Sequence, residues 1–359
     1  VQSMKLQFEP RAKLSKTADA LMIAASLLFI FAALSVVFLC IGVDPLKAIA
    51  GMCTSAFQSG YYFSEALVRA APLILTSLAV CVCLRMRLWN IGAEGQLFMG
   101  AFGAVLVEQS CEDLPAVPLI FLMILAAMVC GGLWGGLVGL LKRWLNVNET
   151  LTSLLLNYVA TSWMNYLIYG PWRDPASPGF PITRKFVRAA YLPQLFGSRL
   201  HAGFFIALLA AFVVWYLLER TTFGFEIRAT GESMEGARYA GIPIKRNILL
   251  VFVIAGALAA LAGFGEVAGL HHKLQPGNVS NNYGSYGIII AWLCGANPLV
   301  IIFGAVLGGI LLVGAESLQV TMGVASDNVQ ITIGLLLVCI LVSKFFMDHK
   351  IVVKKAGKE

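Results

Sequence analysis

The chain has 359 residues, of which 59% are hydrophobic and 13% charged, with a net charge of +7 and a mean hydropathy of +0.81. Ordinary globular domains carry about 25% charged residues, so this chain lacks the polar surface to cover a water-soluble body of its length. That excludes a soluble enzyme, a disordered regulator and a nucleic-acid binder, and makes the 26 Lys and Arg markers of orientation in a membrane.

A helix needs about 20 apolar residues to cross a bilayer. Continuous rather than alternating apolar runs favour helices over a β-barrel. The runs predict an all-α integral membrane protein with about ten transmembrane helices, at 21–42, 64–84, 91–108, 116–141, 150–170, 202–218, 247–270, 284–296, 298–315 and 329–345, in one domain over 1–359. The first run is too long for a signal-peptide core and is read as a retained span. Residues 43–63, with Pro45, predict a short surface helix. Run 91–108 is glycine-rich and run 284–296 is short for a straight span.

With ten spans, most basic residues fall on one side: Lys5, Arg11, Lys13 and Lys16, then Arg85 and Arg87, Lys142 and Arg143, the 219–246 loop, and the carboxyl tail. The positive-inside rule makes that side, with both termini, cytoplasmic. The 171–200 loop dissents, because it is basic yet falls outside. Pro171, Pro175, Pro178, Pro181 and Pro193 predict an ordered extracytoplasmic cap with little regular structure.

Gly131, Gly135 and Gly139, with Gly132 and Gly136, form a double small-residue ridge suited to close helix packing. The eight cysteines show no metal-ligand spacing and are read as small packing residues. Both halves carry a Gly-interrupted apolar segment, Asn90–Ala104 and Asn282–Pro298. Paired broken segments point to a midplane site in a transporter.

Charged groups inside spans are costly, so each is informative. Glu94, in Asn90-Ile-Gly-Ala-Glu-Gly-Gln96, either lines a pathway or is a carboxylate that caps a broken helix or pairs with Arg85 or Arg87. Asn148 caps the next helix and Glu149 favours its first turn. Asn157 is followed by Tyr158, Trp163, Asn165, Tyr166 and Tyr169, and shares one face at helical spacing with Thr161 and Met164 or Asn165. A face with amides and aromatics either stacks and hydrogen-bonds a polar ring compound or bonds neighbouring helices. Glu266 lies late in its span, before His271 and His272. Two adjacent histidines on a helix face different ways and no third ligand is near, so no metal site is expected. Glu65 and Arg69, four apart, suit an i,i+4 pair. In the 219–246 loop a short helix between Gly231 and Gly241, carrying Glu232, Glu235 and Ala240, either docks into a partner's groove or is a solvated connector.

Leu88-Trp-Asn-Ile-Gly-Ala-Glu-Gly-Gln-Leu-Phe98, Asn148-Glu-Thr-Leu-Thr-Ser-Leu-Leu-Leu-Asn-Tyr158, the Gly231–Ile242 loop and Asn297-Pro298 together resemble permease subunits of the ABC importers for ribose, nucleosides and branched-chain amino acids. The match is nearest the nucleoside branch, served by basic-membrane-protein-type lipoproteins. The resemblance implies a ten-helix, type II-like importer fold with broken helices and a homo- or heterodimer of permeases in membrane lipid. It implies that residues 231–242 couple to a cytoplasmic ATP-binding subunit, which alone binds ATP and Mg, and that an extracytoplasmic binding protein delivers substrate. The family tends to carry an acidic residue in the stretch that here reads Tyr283-Gly-Ser-Tyr-Gly287. Tyr286 in its place leaves riboflavin or a simple sugar open beside a nucleoside.

No Gly-x-x-x-x-Gly-Lys-[Ser/Thr] loop occurs, so the expected protein is a transport permease with no catalytic site. Its expected pathway residues are Asn90, Glu94, Gln96, Asn157, Tyr158, Glu266 and Tyr286; its coupling residues are Gly231, Glu232, Glu235, Ala240 and Gly241. The competing class is a proton-coupled secondary transporter in which Glu94 or Glu266 titrates.

Overall fold

The computed structural model describes residues 4–10, 16–177, 179–195, 197–277 and 279–355. Arg11 and Lys13 of the basic amino-terminal cluster lie outside the described residues, as does Pro178 of the 171–200 loop. Nearly everything is helix. In chain order the elements are β1 (Met4–Pro10), α1 (Lys16–Cys40), α2 (Pro45–Thr54), α3 (Gly60–Arg85), α4 (Ala93–Ser110), α5 (Ala116–Leu145) and α6 (Glu149–Tyr169). Then come α7 (Gly203–Arg220), α8 (Thr222–Glu232), α9 (Met234–Tyr239), α10 (Ile244–Gly265) with a π-helical turn (Glu266–His271), α11 (Tyr283–Leu293), α12 (Pro298–Met322), α13 (Ser326–Asp348) and β2 (His349–Lys355).

Each predicted span falls on a helix, and α2 is the predicted surface helix, with Asp44 accepting the Leu46 N–H at 3.0 Å. Among the described residues, seven helices are long and apolar enough to cross a membrane: α1, α3, α5, α7, α10 with its π turn, α12 and α13. The other three predicted spans fall short of that measure. Helices α4 and α6 are interrupted by polar groups, and α11 has only 11 residues.

The chain divides into two compact units, Val1–Ala56 with Leu311–Glu359, and Phe57–Ile310. In the first, α1 lies along α13, and β1 pairs antiparallel with β2, Met4 opposite Lys355. This small ladder departs from the purely helical expectation. Ser55 and Ser317 share a hydrogen bond of 2.7 Å, and Gly314 lies against the Met52 backbone.

The second unit is built on α3, α4, α5 and α10. The expected glycine ridge of α5 meets α10. A Cβ on Gly131 would overlap Ala260, one on Gly135 would overlap the Phe252 carbonyl, and one on Gly139 would lie 3.1 Å from Leu249 Cα. Gly263 of α10 sits in the same way on the Leu97 carbonyl of α4. Lipid tails are as apolar as Leu, so helices in a bilayer associate through such close backbone contact rather than hydrophobic burial. The outer faces of α5 (Val117, Phe121, Leu125, Leu133) and α7 (Phe205, Leu209, Phe212, Val213) are exposed and wholly apolar, which suits lipid.

A broken-helix clasp and its surroundings

The entry to α4 has no side-chain cap of its own, because Gly92 precedes it. Its peptide groups are satisfied from elsewhere. Asn90 Oδ1 accepts the Gly92 N–H at 3.0 Å, and Asn90 and Gln96 exchange amide bonds of 3.1 and 3.3 Å. From α6, Asn157 accepts the Gly95 N–H at 2.8 Å and donates to the Ile91 carbonyl at 2.8 Å, while Ser153 accepts the Ile91 N–H at 3.2 Å. A Cβ on Gly95 would lie 2.8 Å from Asn157 Oδ1, so this approach requires glycine. Non-helical backbone survives at membrane depth only where protein groups replace the missing bonds; these three amides and one hydroxyl do so.

Glu94 stands in the first turn of α4. Its Oε2 accepts the N–H of Gly284, in the first turn of α11, at 2.7 Å, and Ser280 bonds the same carboxyl. The structure thus joins the two Gly-interrupted segments of the chain. Helix N-termini carry partial positive charge, and this carboxylate serves two of them. It caps the partner helix rather than its own, and Arg85 is held instead by Glu219 at 3.1 Å. Helix α11 is also fixed from α3. Thr76 Oγ1 donates to the Tyr283 carbonyl at 3.0 Å, Gly287 abuts Thr76 and Ser77, and Arg69 donates to the Tyr283 hydroxyl at 2.8 Å. Glu65 receives Arg199 at 3.3 Å. Tyr286 lies one turn into α11, half-buried.

On α6, Tyr158 is 67% exposed and lines a shallow groove of about 530 Å3 with Val159, Ser162, Trp163 and Tyr166. Trp163 and Tyr166 stack at 5.8 Å. As expected, Asn148 caps α6, accepting the Thr150 N–H at 3.0 Å; Glu149 pairs with Lys142 at 2.9 Å.

Glu266 belongs to a second group. It opens the π turn, is 2% exposed, and has His271 Nε2 at 3.4 Å. The 171–200 cap docks on this turn. Leu192 N–H donates to the Ala268 carbonyl and Phe186 N–H to the His272 carbonyl, both at 2.9 Å. Sequence reasoning missed His201. Its ring is 2% exposed, pressed between Gly203 and Gly269, and its Nδ1 accepts the Gly203 N–H at 3.1 Å. Burial pushes the His201 pKa down, and the charge of Glu266 opposes that shift. Burial also lowers that of His272, with Lys185, His201 and His271 adding to it, and its ring stacks on Tyr191 at 3.7 Å. The two glycines were the only trace of this pocket in the sequence.

The 219–246 loop holds the expected short helix between Gly231 and Gly241, α9 (Met234–Tyr239), and adds a second that the sequence did not show, α8 from Thr222. Ser233 breaks the chain between the two, accepting the Gly236 N–H at 3.0 Å. Gly231 and Glu232 therefore end α8, with Gly231 seated on the Arg85 carbonyl. Glu232, Glu235 and Ala240 are exposed, as is Gly241, whose φ of +73 suits glycine.

Membrane helices, two helices whose first turns meet at a shared carboxylate, and a polar loop between α7 and α10 define a polytopic membrane transport protein. Residues 62–341 match the family described as branched-chain amino acid transport system / permease component, and the chain belongs to that family. It is 35% identical to the glucose ABC transporter permease protein TsgB13 of Haloferax volcanii, over 97% of this chain and 94% of that one. It is 33% identical to the guanosine ABC transporter permease protein NupP of Bacillus subtilis, over 85% and 88%. With the nucleoside ABC transporter permease protein NupB of Lactococcus lactis it shares 29% over 96% of each. The chain is a multi-pass membrane permease subunit of an ABC importer.

Proposed function

We propose that this permease carries a nucleoside or related small polar ring compound inward by alternating access, with the Glu94–Gly284 clasp between α4 and α11 as its moving joint. That 2.7 Å bond is the observation that carries the reading, since it ties the starts of two helices whose separation opens a path. Glu94, Tyr158 and Tyr286 line that path, and Asn90, Gln96 and Asn157 hold the break beside it. Glu266 anchors the outer end of α10 next to the cap. The aromatic face of α6 favours a flat ring, and so do the guanosine and nucleoside permeases among the relatives. A simple sugar is the second reading, favoured by the glucose permease at 35% identity. Riboflavin is a third, after a riboflavin import permease at 26%.

In this reading the pathway forms between two permeases in the bacterial inner membrane, with both termini cytoplasmic. A partner ATPase binds ATP and Mg and docks on Glu232, Glu235, Ala240 and Gly241, and an extracytoplasmic binding protein meets the 171–200 cap. The rival reading, proton coupling through Glu94 or Glu266, fits the family poorly. The test is uptake into proteoliposomes holding the permease, its ATPase and its binding protein, with labelled guanosine, glucose and riboflavin. Guanosine uptake that needs ATP and survives an ionophore is expected. Uptake of glucose without guanosine overturns the substrate, and ionophore-sensitive uptake without ATP overturns the mechanism.

A further inference from the structure

Helix α11 is held at both ends by charge. At its start, Glu94 accepts the Gly284 N–H at 2.7 Å. At its finish the chain turns through Gly295 (φ +61) and Ala296 (φ +50), and Arg85 Nε donates to the Ala296 carbonyl at 2.8 Å. A carboxylate at a helix N-terminus and a guanidinium at its C-terminal cap both match the helix dipole. A left-handed alanine persists only where its surroundings fix it. Here Arg85 Nε and Cys81 Sγ, the latter at 3.1 Å, both reach its carbonyl.

The same guanidinium faces the cytoplasmic helices. Arg85 Nη2 lies 3.1 Å from Glu219 Oε1 at the end of α7, and Glu219 Oε2 lies 3.2 Å from Arg228 Nη1 of α8. Gly231 at the end of α8 rests on the Arg85 carbonyl. Asn247 Nδ2, on α10, donates to Glu226 Oε2 of α8 at 2.7 Å. Helix α8 is thus fixed to the base of the bundle, and Arg85 bonds the end of α11 directly while reaching α8 through Glu219, which it shares with Arg228. At 11 residues, α11 is a rod of roughly 16 Å between Arg85 and the clasp.

We propose that Arg85 is a positioning residue that transmits movement of α8 and α9 through α11 to the Glu94 clasp. The proposal rests on the reading of α8 and α9 as the ATPase-facing segment. It needs a side chain that donates from separate nitrogens in fixed directions. Arginine does this and lysine, a single mobile ammonium, does not. Partial exposure, with 22% of the Arg85 side chain and 36% of Glu219 open, makes the ion pair a weak source of stability. Its worth lies in the geometry.

The test uses the assembled transporter of permease, ATPase and binding protein, with Arg85→Gln, Arg85→Lys and Glu219→Ala. ATP hydrolysis, substrate uptake, co-purification of the ATPase, and ATP-dependent amide exchange of residues 283–297 are measured on each. All three variants are expected to keep the ATPase bound and hydrolysis within about twofold, while uptake per ATP falls at least about tenfold. The ATP-dependent change in α11 exchange disappears with it. Unchanged uptake per ATP, or full rescue by Lys, overturns the positioning role. So does loss of uptake with α11 still responding to ATP. If Arg85→Gln fails to fold, Glu219→Ala decides alone, because it cuts the link on the cytoplasmic side and leaves the Ala296 bond in place. The docking reading fails separately, when Glu232→Ala with Glu235→Ala leaves the ATPase bound and uptake intact.

Discussion

Removing the Glu94 carboxylate isolates the clasp. It receives hydrogen bonds from the Gly284 N–H and from Ser280. Bonds to a charged acceptor contribute about 1.5–3 kcal/mol each and neutral ones about 0.5–1.5. Glu94→Gln keeps two neutral bonds in place of two charged ones and loses about 2–3 kcal/mol; Glu94→Ala loses about 3–6. Both variants also escape the desolvation cost of a half-buried charge, so the lower ends are expected. That is about 2 kcal/mol, or about 30-fold, for Gln, and about 3 kcal/mol, or about 150-fold, for Ala. The assay is amide exchange of a peptide covering residues 283–287 in detergent. Exchange should quicken by those factors, in that order, while peptides from the α5–α10 interface stay protected. If Glu94→Ala leaves exchange at the start of α11 within twofold of the native rate, Glu94 does not hold the two helices together.

Gly256→Ala places a Cβ into the Gly131 carbonyl, where only backbone could give way; the melting temperature in detergent should drop by an amount equivalent to about 1–3 kcal/mol. Gly241→Ala, at φ +73 with open space around it, tests strain alone and should cost about 1–2 kcal/mol without disturbing packing. Asn157→Leu leaves the Gly95 N–H and the Ile91 carbonyl without their partner, so exchange at the start of α4 should rise by a factor matching about 1–3 kcal/mol per group. His201 and His272 have lowered pKa values, so the unfolded chain binds more protons and stability falls as pH drops below about 6.5. His201→Gln should flatten that acid-side loss in a series of thermal melts, whereas an unchanged slope would place it at His272 instead.

The apolar runs marked every long helix because a bilayer demands length and continuity that no other environment does. The double ridge on α5 was legible for the same reason, since glycines four apart on one face have few other uses in lipid. The failure at α8 is instructive. Gly224 reads as a helix breaker, yet it lies inside α8 and sits on the Leu217 and Leu218 carbonyls, where a side chain would block the tight turn from α7. Local propensity cannot show a contact of that kind. His201 failed likewise, because its burial is made by Gly203 and by Gly269 on a different helix.

The same distinction explains why the site was only half legible. The two broken segments could be found from their bracketing glycines, but the bond that unites them spans 190 positions of sequence, and no spacing rule reaches that far. Once they meet, the polar residues of the first segment divide by what they bond. Asn90, Gln96 and Asn157 direct their amides at one another and at the peptide groups of the break, work that any ligand would have to interrupt. Tyr158 instead turns an exposed ring outward beside Ser162, Trp163 and Tyr166. The aromatic face of α6 is thus the part left open to a ligand, and the amides make the broken backbone behind it possible. Substitutions at Tyr158 should change which compound is carried, whereas substitutions at Asn157 should lower transport of all of them alike.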